Sequence, residues 1–169
     1  MKFEITQRFL ATTPHDVVDA YTDPDLYPTL TGLTKVAPPE VVSHHVSDGR
    51  VTLGLRMRFV ADLNAAARAV VDPAKLSWLQ EERYDLRAMS ASVVFKPESY
   101  ADRFSSSGGY RFVVDPEDSR TTIRTVTGDL RVRMLLVGGQ VEGALVSGLR
   151  EHFAEEQPLV QRWLDEHAA

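Results

Sequence analysis

The most informative stretch of the sequence is residues 120–167, which read RTTIRTVTGDLRVRMLLVGGQVEGALVSGLREHFAEEQPLVQRWLDEH. Up to Met134, apolar and polar side chains alternate as they do in a strand with one buried face. After Gly139 the apolar side chains recur at helical spacing, at Val141, Leu145, Leu149, Phe153, Val160, Trp163 and Leu164. The stretch therefore predicts a long strand that leads into one long amphipathic helix.

Most of the chain before this stretch reads as strands, so the apolar partner of the helix is expected to be a sheet. We predict strands at residues 2–10, 40–47, 50–61, 76–86, 88–96, 103–114 and 120–134. The Asp48-Gly49 pair predicts a tight hairpin, because these residue types tolerate positive φ angles. A curved antiparallel sheet that holds a long helix commonly leaves a cavity beneath it, which indicates a ligand holder.

Two short helices are expected between the first two strands. Thr13 suits the N-cap of the first helix and Pro14 its first turn, and a second helical piece should end near Gly32. The Ala-rich residues 64–71 predict either a helical turn or a bent strand. The expected fold is α+β, with a curved antiparallel sheet of six to seven strands around a long C-terminal helix.

Composition predicts one domain, residues 1–169, because a chain of 169 residues with 43% hydrophobic content can bury a single core. The net charge of -5 and the absence of a basic stripe argue against nucleic acid as a partner. The sequence has no cysteine, and its N-terminus reads as a charged strand rather than a signal peptide. We therefore expect a cytoplasmic protein without an integral membrane segment; the oligomeric state is not readable.

Five short motifs resemble one known family. They are MKFEITQ at residues 1–7, AARAVVDP at 66–73, YADR at 100–103, GGQVE at 138–142 and SGLRE at 147–151. Through them the whole chain resembles the START-like superfamily, also called SRPBCC or helix-grip, which includes polyketide cyclase-like proteins and lipid-transfer domains. More narrowly, it resembles a START-like family with no assigned activity. The resemblance implies an internal pocket for a lipid, sterol, polyketide or other small hydrophobic molecule.

The predicted ligand-binding residues are the side chains that strand parity and helix spacing turn toward such a pocket. They are Phe9, Leu55, Met57, Phe59, Trp78, Gln80, Glu82, Tyr84, Tyr110, Phe112, Arg124, Leu130, Val141, Leu145, Leu149 and Phe153. The alternative for any one of them is that it fills a dry core. No catalytic residue is assigned from the sequence.

Glu82 and Arg124 are the most selective of these predictions. Glu82 shares strand parity with Trp78 and Tyr84, and Arg124 shares it with Leu130. Because buried charges are costly, the two would need each other, a water or a polar ligand group. A bulge that shifts the strand register would instead place both side chains in solvent.

The histidines and glycines support no cofactor or metal site. His44 and His45 are adjacent on a strand, so only one can point inward, and no metal-ligand spacing accompanies them. His152, on the terminal helix, is expected to be solvated. The Gly108-Gly109 pair is followed by no Lys-Ser or Lys-Thr and lies within a strand pattern, so it is no phosphate loop.

Small residues and a proline interrupt the terminal helix. Gly143 and Gly148 either let the helix approach the sheet or leave empty volume beneath it. Pro158 should kink or restart the helix, because it has no N–H for the carbonyl of Ala154.

Three function classes remain after this reading. The sequence favours a non-enzymatic carrier or sensor of a small hydrophobic molecule, held in a cavity of several hundred Å³. The alternative is a cyclase/aromatase- or dehydratase-like enzyme for a polyketide-like substrate, with proton transfer by a carboxylate such as Glu82, either alone or with His44 or His45. A co-chaperone-like interaction module would instead have a filled interior and an exposed apolar patch.

Overall fold

A computed structural model describes residues 1–60, 62, 65–69, 71–134 and 138–168. Its strands are β1 (Lys2–Leu10), β2 (Glu40–Ser47), β3 (Arg50–Arg58), β4 (Ser77–Asp85), β5 (Ser90–Pro97), β6 (Phe104–Asp115) and β7 (Asp118–Val132). Its helices are α1 (Pro14–Thr22), α2 (Ala65–Arg68) and α3 (Gly138–His167), with 3₁₀ helices at Tyr27–Thr29 and Pro73–Lys75. The predicted α+β fold is confirmed, with the long helix α3 last in the chain.

The seven strands form one antiparallel sheet in the order β1-β7-β6-β5-β4-β3-β2. From β2 to β7, each strand pairs with the next strand in the sequence. The last strand, β7, also pairs with the first strand, β1. The β2–β3 hairpin turns at Asp48 and Gly49, whose φ angles of 48° and 76° are those that a tight primed turn requires. This hairpin is therefore the one that the Asp-Gly pair predicts.

The two short helical segments between β1 and β2 are α1 and the 3₁₀ helix Tyr27–Thr29. A capping box starts α1, because the Asp16 N–H donates to Thr13 Oγ1 and the Thr13 N–H donates to Asp16 Oδ2 at 2.6 Å. Within the ambiguous Ala-rich segment, Ala65–Arg68 form a helical turn, whereas positions 64 and 70 lie outside the described residues. The 3₁₀ helix Pro73–Lys75 was not predicted.

A close approach of two strands explains Gly108. A Cβ at this position would lie 2.1 Å from the Thr127 carbonyl oxygen of β7. This distance is too short for any residue other than glycine. The glycine thus lets strand β6 approach β7 within the curved sheet.

Helix α3 lies across the sheet and also closes one of its edges. The Gln157 and Gln161 side chains accept hydrogen bonds from the Arg8 and Leu10 N–H groups at 3.3 and 2.8 Å, and Gln161 Nε2 donates to the Leu10 carbonyl at 3.1 Å. The outer edge of β1 is therefore occupied by side chains that stand in for a neighbouring strand.

The helix is continuous through Pro158, so of the two predicted effects the restart of the helix does not occur. Pro158 and Ala154 are both exposed, and the carbonyl that lacks its helical partner therefore faces water. Within the described ranges, no helix is both long and apolar enough to span a membrane.

Candidate functional site

A cavity of about 450 Å³ lies between the sheet and α3. Strands β3, β4, β6 and β7 form its floor, and α3 forms its roof. Tyr21 of α1 and Tyr27 close it at one end, and Phe95 and Pro97 of β5 contribute to the wall. Its volume lies in the range expected from the sequence and usual for small-molecule sites.

Twelve of the predicted ligand-binding residues line this cavity. They are Leu55, Met57, Phe59, Trp78, Gln80, Glu82, Tyr110, Arg124, Leu130, Leu145, Leu149 and Phe153. Strand parity selects the inner-face residues correctly because the registers of β3, β4 and β7 run without a bulge through these positions.

Phe9, Tyr84, Phe112 and Val141 lie outside the lining and correct the prediction. Phe9 and Phe112 pack against Tyr21, with ring centres 6.1 and 6.2 Å apart, so α1 fills the core at that end. Tyr84 is buried behind Glu82, and Val141 lies one helical turn before the lining residue Leu145. Strand parity thus identified buried side chains correctly. It did not show that packed side chains fill the core under α1.

Glu82 is a buried carboxylate on the cavity wall, with 2% of its surface exposed. Its Oε1 accepts hydrogen bonds from Gln80 Nε2 at 2.6 Å and the Tyr110 hydroxyl at 2.8 Å. Its Oε2 accepts one from the Tyr84 hydroxyl at 2.7 Å. Burial raises the pKa of this carboxyl, and these hydrogen bonds together with the charge of Arg124 oppose the rise.

Arg124 is also buried on the inner face, but its ion-pair partner is Glu156 rather than Glu82. Its Nη1 donates to Glu156 Oε2 at 3.0 Å and to Gln7 Oε1 at 2.8 Å. The guanidinium faces the rings of Tyr21 and Tyr110, with its carbon 3.8 and 4.1 Å from their centres. Of the partners considered for these two side chains, direct pairing with each other is therefore not observed, and Tyr110 contacts both residues.

Glu156 and Gln7 complete the cluster and were missed from the sequence. Gln7 Nε2 donates to Glu156 Oε2 at 3.1 Å, and the Tyr21 hydroxyl donates to the same oxygen at 3.0 Å. A signal was present, because Glu156 lies three residues after Phe153 and four before Val160 on the buried face of α3. Gln7 likewise shares the apolar face of β1.

His152 is buried at the cavity, which corrects the expectation of a solvated imidazole. It lies three residues after Leu149, a spacing that places it on the cavity face of the helix. Its Nδ1 has no hydrogen-bond partner among the described residues, and burial lowers the pKa of the ring. His44 and His45 are exposed on β2 and absent from the lining within the described structure, so the predicted proton transfer through either is wrong.

Polar contacts join α3 to the segment that follows the 3₁₀ helix Tyr27–Thr29. Lys35 and Glu151 form an ion pair of 2.7 Å there, and the Thr34 N–H donates to Glu155 at 2.8 Å. Gly148 lines the cavity, and a Cβ on it would meet no atom within 4 Å. The helix glycines were expected either to let the helix approach the sheet or to leave empty volume beneath it. At Gly148 the structure shows empty volume.

Comparison with known proteins supports the fold and leaves the activity open. Residues 5–164 match a family described as protein of unknown function (DUF2505). A comparison with curated proteins found no match.

Several solved structures are similar over the whole chain. The protein TTHA0849 from Thermus thermophilus has a TM-score of 0.66 at 18% identity, with 100% of both chains covered. The Zhui aromatase/cyclase from Streptomyces sp. R1128 has a TM-score of 0.66 at 13% identity, covering 100% of this chain and 96% of that one. Norcoclaurine synthase from Thalictrum flavum, in complex with dopamine and hydroxybenzaldehyde, has a TM-score of 0.63 at 16% identity, with 100% and 90% covered. At these identities the likeness establishes the helix-grip fold alone.

Proposed function

Because the chain belongs to the DUF2505 family of proteins of unknown function, we propose its activity from the site itself: it binds a small hydrophobic molecule in the cavity beneath α3. The START-like resemblance of its motifs supports the same reading. Residues 1–169 would form one such domain, and a cytoplasmic location stays a prediction from the sequence.

The observation that carries this proposal is the composition of the cavity wall. Aliphatic and aromatic side chains make up most of it, including Met57, Phe59, Trp78 and Leu149, and one group of its polar side chains, Gln80, Glu82 and Tyr110, is joined by hydrogen bonds. Apolar walls with a few converging polar groups are typical of small-molecule sites. A bound molecule would gain about 25 cal/mol for each Å² of apolar surface removed from water.

Native mass spectrometry and solvent extraction of the purified protein test this proposal. We expect a co-purified small molecule that stays bound under native conditions and is released on denaturation. The apolar dye N-phenyl-1-naphthylamine serves as an independent reporter, since its fluorescence rises on transfer from water to an apolar cavity. A protein that carries no such molecule and also leaves the dye fluorescence unchanged would contradict the proposal.

A second candidate, an enzyme of the cyclase/aromatase or dehydratase kind, is favoured by one observation. The carboxyl of Glu82 lies on the cavity wall, and burial raises its pKa, as is common for carboxyl groups that act as general acids or bases. Incubation of wild-type protein and a Glu82→Gln variant with a poly-β-ketone analogue, followed by product analysis, tests this candidate. Turnover that the variant lacks would establish it, whereas equal products would exclude Glu82 as the acid or base.

The third class, an interaction module with a filled interior, has less support. Its defining expectation was a solid core, and the volume beneath α3 is open.

A further inference from the structure

Around Glu82, the side-chain donors of Gln80, Tyr84 and Tyr110 are all engaged in hydrogen bonds. Gln80 has two N–H groups, and its Nε2 donates to Glu82 and to the Tyr110 hydroxyl at 2.6 and 3.2 Å. Tyr84 and Tyr110 have one O–H each, and both O–H groups donate to Glu82. A molecule that arrives at this point of the wall therefore finds no donor among these three side chains.

Acceptors, in contrast, are in surplus at the same point. Glu82 Oε2 accepts one hydrogen bond, from Tyr84, although a carboxylate oxygen can accept two. Gln80 Oε1 accepts one long bond of 3.5 Å, from the Trp78 ring N–H. A head group that contacts these two oxygens must therefore donate hydrogen bonds to them. Arg124 Nε, a buried donor without a partner among the described residues, belongs to the guanidinium that pairs with Glu156.

The charges of the lining point in the same direction. Among the described residues the lining contains four carboxylates, two of which pair with its two cations, as Lys35 with Glu151 and Arg124 with Glu156. Asp62 pairs at the surface with Arg68 at 3.2 Å. Among the described residues, Glu82 is thus the one lining carboxylate that forms no salt bridge. A cationic head group on the ligand would form one with it.

Strand β4 arranges polarity along the cavity. Glu82, Gln80 and Trp78 are alternate residues on its inner face, and Trp78 is paired with Met57 of β3 and Pro97 of β5. Along β4, the polarity of the cavity wall therefore falls from Glu82 toward Trp78. A molecule with a polar head and an apolar body would lie along this gradient in one orientation.

We infer that the cavity selects an amphiphile with a protonated amine head, hydrogen-bonded to Glu82 Oε2 and Gln80 Oε1, and an apolar body that packs on Trp78. An ammonium group offers three donors and one positive charge, whereas a carboxylate offers neither. The inference rests on the proposed function and adds the chemistry of the ligand head. It predicts that fatty acids bind more weakly than amines, because a carboxylate beside Glu82 would find no donor among Gln80, Tyr84 and Tyr110.

A matched series of competitors tests the inference without any change to the protein. Decylamine, decanol and decanoate carry the same chain, and at about pH 7 the amine is protonated and the acid ionised. Each is titrated against the protein loaded with N-phenyl-1-naphthylamine. We expect decylamine to compete at least about tenfold more tightly than decanol, and decanoate most weakly, because charge-assisted hydrogen bonds are the strongest kind.

Two variants assign the preference to one residue. Glu82→Gln removes the charge at nearly constant shape and should abolish the preference for decylamine over decanol. Glu81→Gln removes the same charge from the adjacent, outward-facing position on β4 and should leave the preference intact.

Each outcome bears on a definite claim. Decanoate that competes as well as decylamine, or a preference that survives Glu82→Gln, would overturn the amine inference while dye binding upholds the proposed function. A wild-type protein that takes up neither dye nor competitor would overturn both. If Glu82→Gln does not fold, the wild-type series alone decides the inference.

Discussion

The guanidinium carbon of Arg124 lies 4.1 Å from the centre of the Tyr110 ring, whose hydroxyl donates to Glu82. The same carbon lies 3.8 Å from the centre of the Tyr21 ring, whose hydroxyl donates to Glu156. One buried cation and two buried carboxylates are therefore joined through two tyrosines. Because the members share partners, a change in one should alter the others.

Replacing Arg124 with methionine should destabilise the fold strongly. Glu156 would remain buried without its cation, and such a loss typically costs about 3–5 kcal/mol of unfolding free energy. Urea unfolding measures this cost. The double variant Arg124→Met/Glu156→Met should be more stable than Arg124→Met alone, because no unpaired charge remains between the two positions.

Arg83→Met provides the matched control, because Arg83 forms an ion pair with Glu81 on the exposed face of β4. Exposed pairs contribute about 1 kcal/mol or less. Equal losses in the two single variants would contradict the structural importance of the buried pair.

The carboxyl of Glu82 should make the protein less stable as the pH rises. Burial raises its pKa above the usual value of 4.5, so the folded chain holds the proton after the unfolded chain has released it. Between the two pKa values the unfolding free energy therefore falls with increasing pH. We expect Glu82→Gln to become more stable relative to the wild type as the pH increases from about 4.5, as measured by urea unfolding across the pH range.

Glu81→Gln should show the opposite dependence. Hydrogen bonds from Lys96 and Arg83 lower the pKa of Glu81, so its stabilising contribution is present above 4.5 and is lost as the pH falls through the folded-state pKa. A stability difference between wild type and Glu82→Gln that does not vary with pH would refute the assignment of a raised pKa.

Gln161→Met should open the edge of β1 near Leu10. The side chain of Gln161 both donates to and accepts from the Leu10 backbone, so its loss should cost about 1 kcal/mol and reduce amide exchange protection there. Hydrogen exchange on the two proteins measures the effect. Gln140→Met, at an exposed position on the same helix, is the control, and equal protection of Leu10 in all three proteins would argue against edge closure.

The fold was predictable because periodicity and turn chemistry are local signals. Alternation along β4 and β7 placed Glu82 and Arg124 inward, and the Asp48-Gly49 pair placed the hairpin. Partner choice was less predictable, because the Arg124–Glu156 pair joins β7 to α3 and depends on how the helix crosses the sheet. The same limit explains why the solid region around Phe9 and Phe112 was not separated from the cavity.

The cavity itself is tested most directly at Gly148. Gly148 lines the cavity and Gly143 does not, and a Cβ at either would meet no atom within 4 Å. Replacing either with leucine should stabilise the helix by roughly 0.8 kcal/mol, since glycine is a poor helix former. Any difference in binding between the two variants therefore reports on the filled volume.

The decisive measurement is the titration of N-phenyl-1-naphthylamine into the wild type, Gly148→Leu and Gly143→Leu. We expect saturable binding to the wild type and Gly143→Leu, and an affinity at least about tenfold weaker for Gly148→Leu. Equal binding to all three proteins, or no binding to the wild type, would contradict a ligand cavity beneath α3.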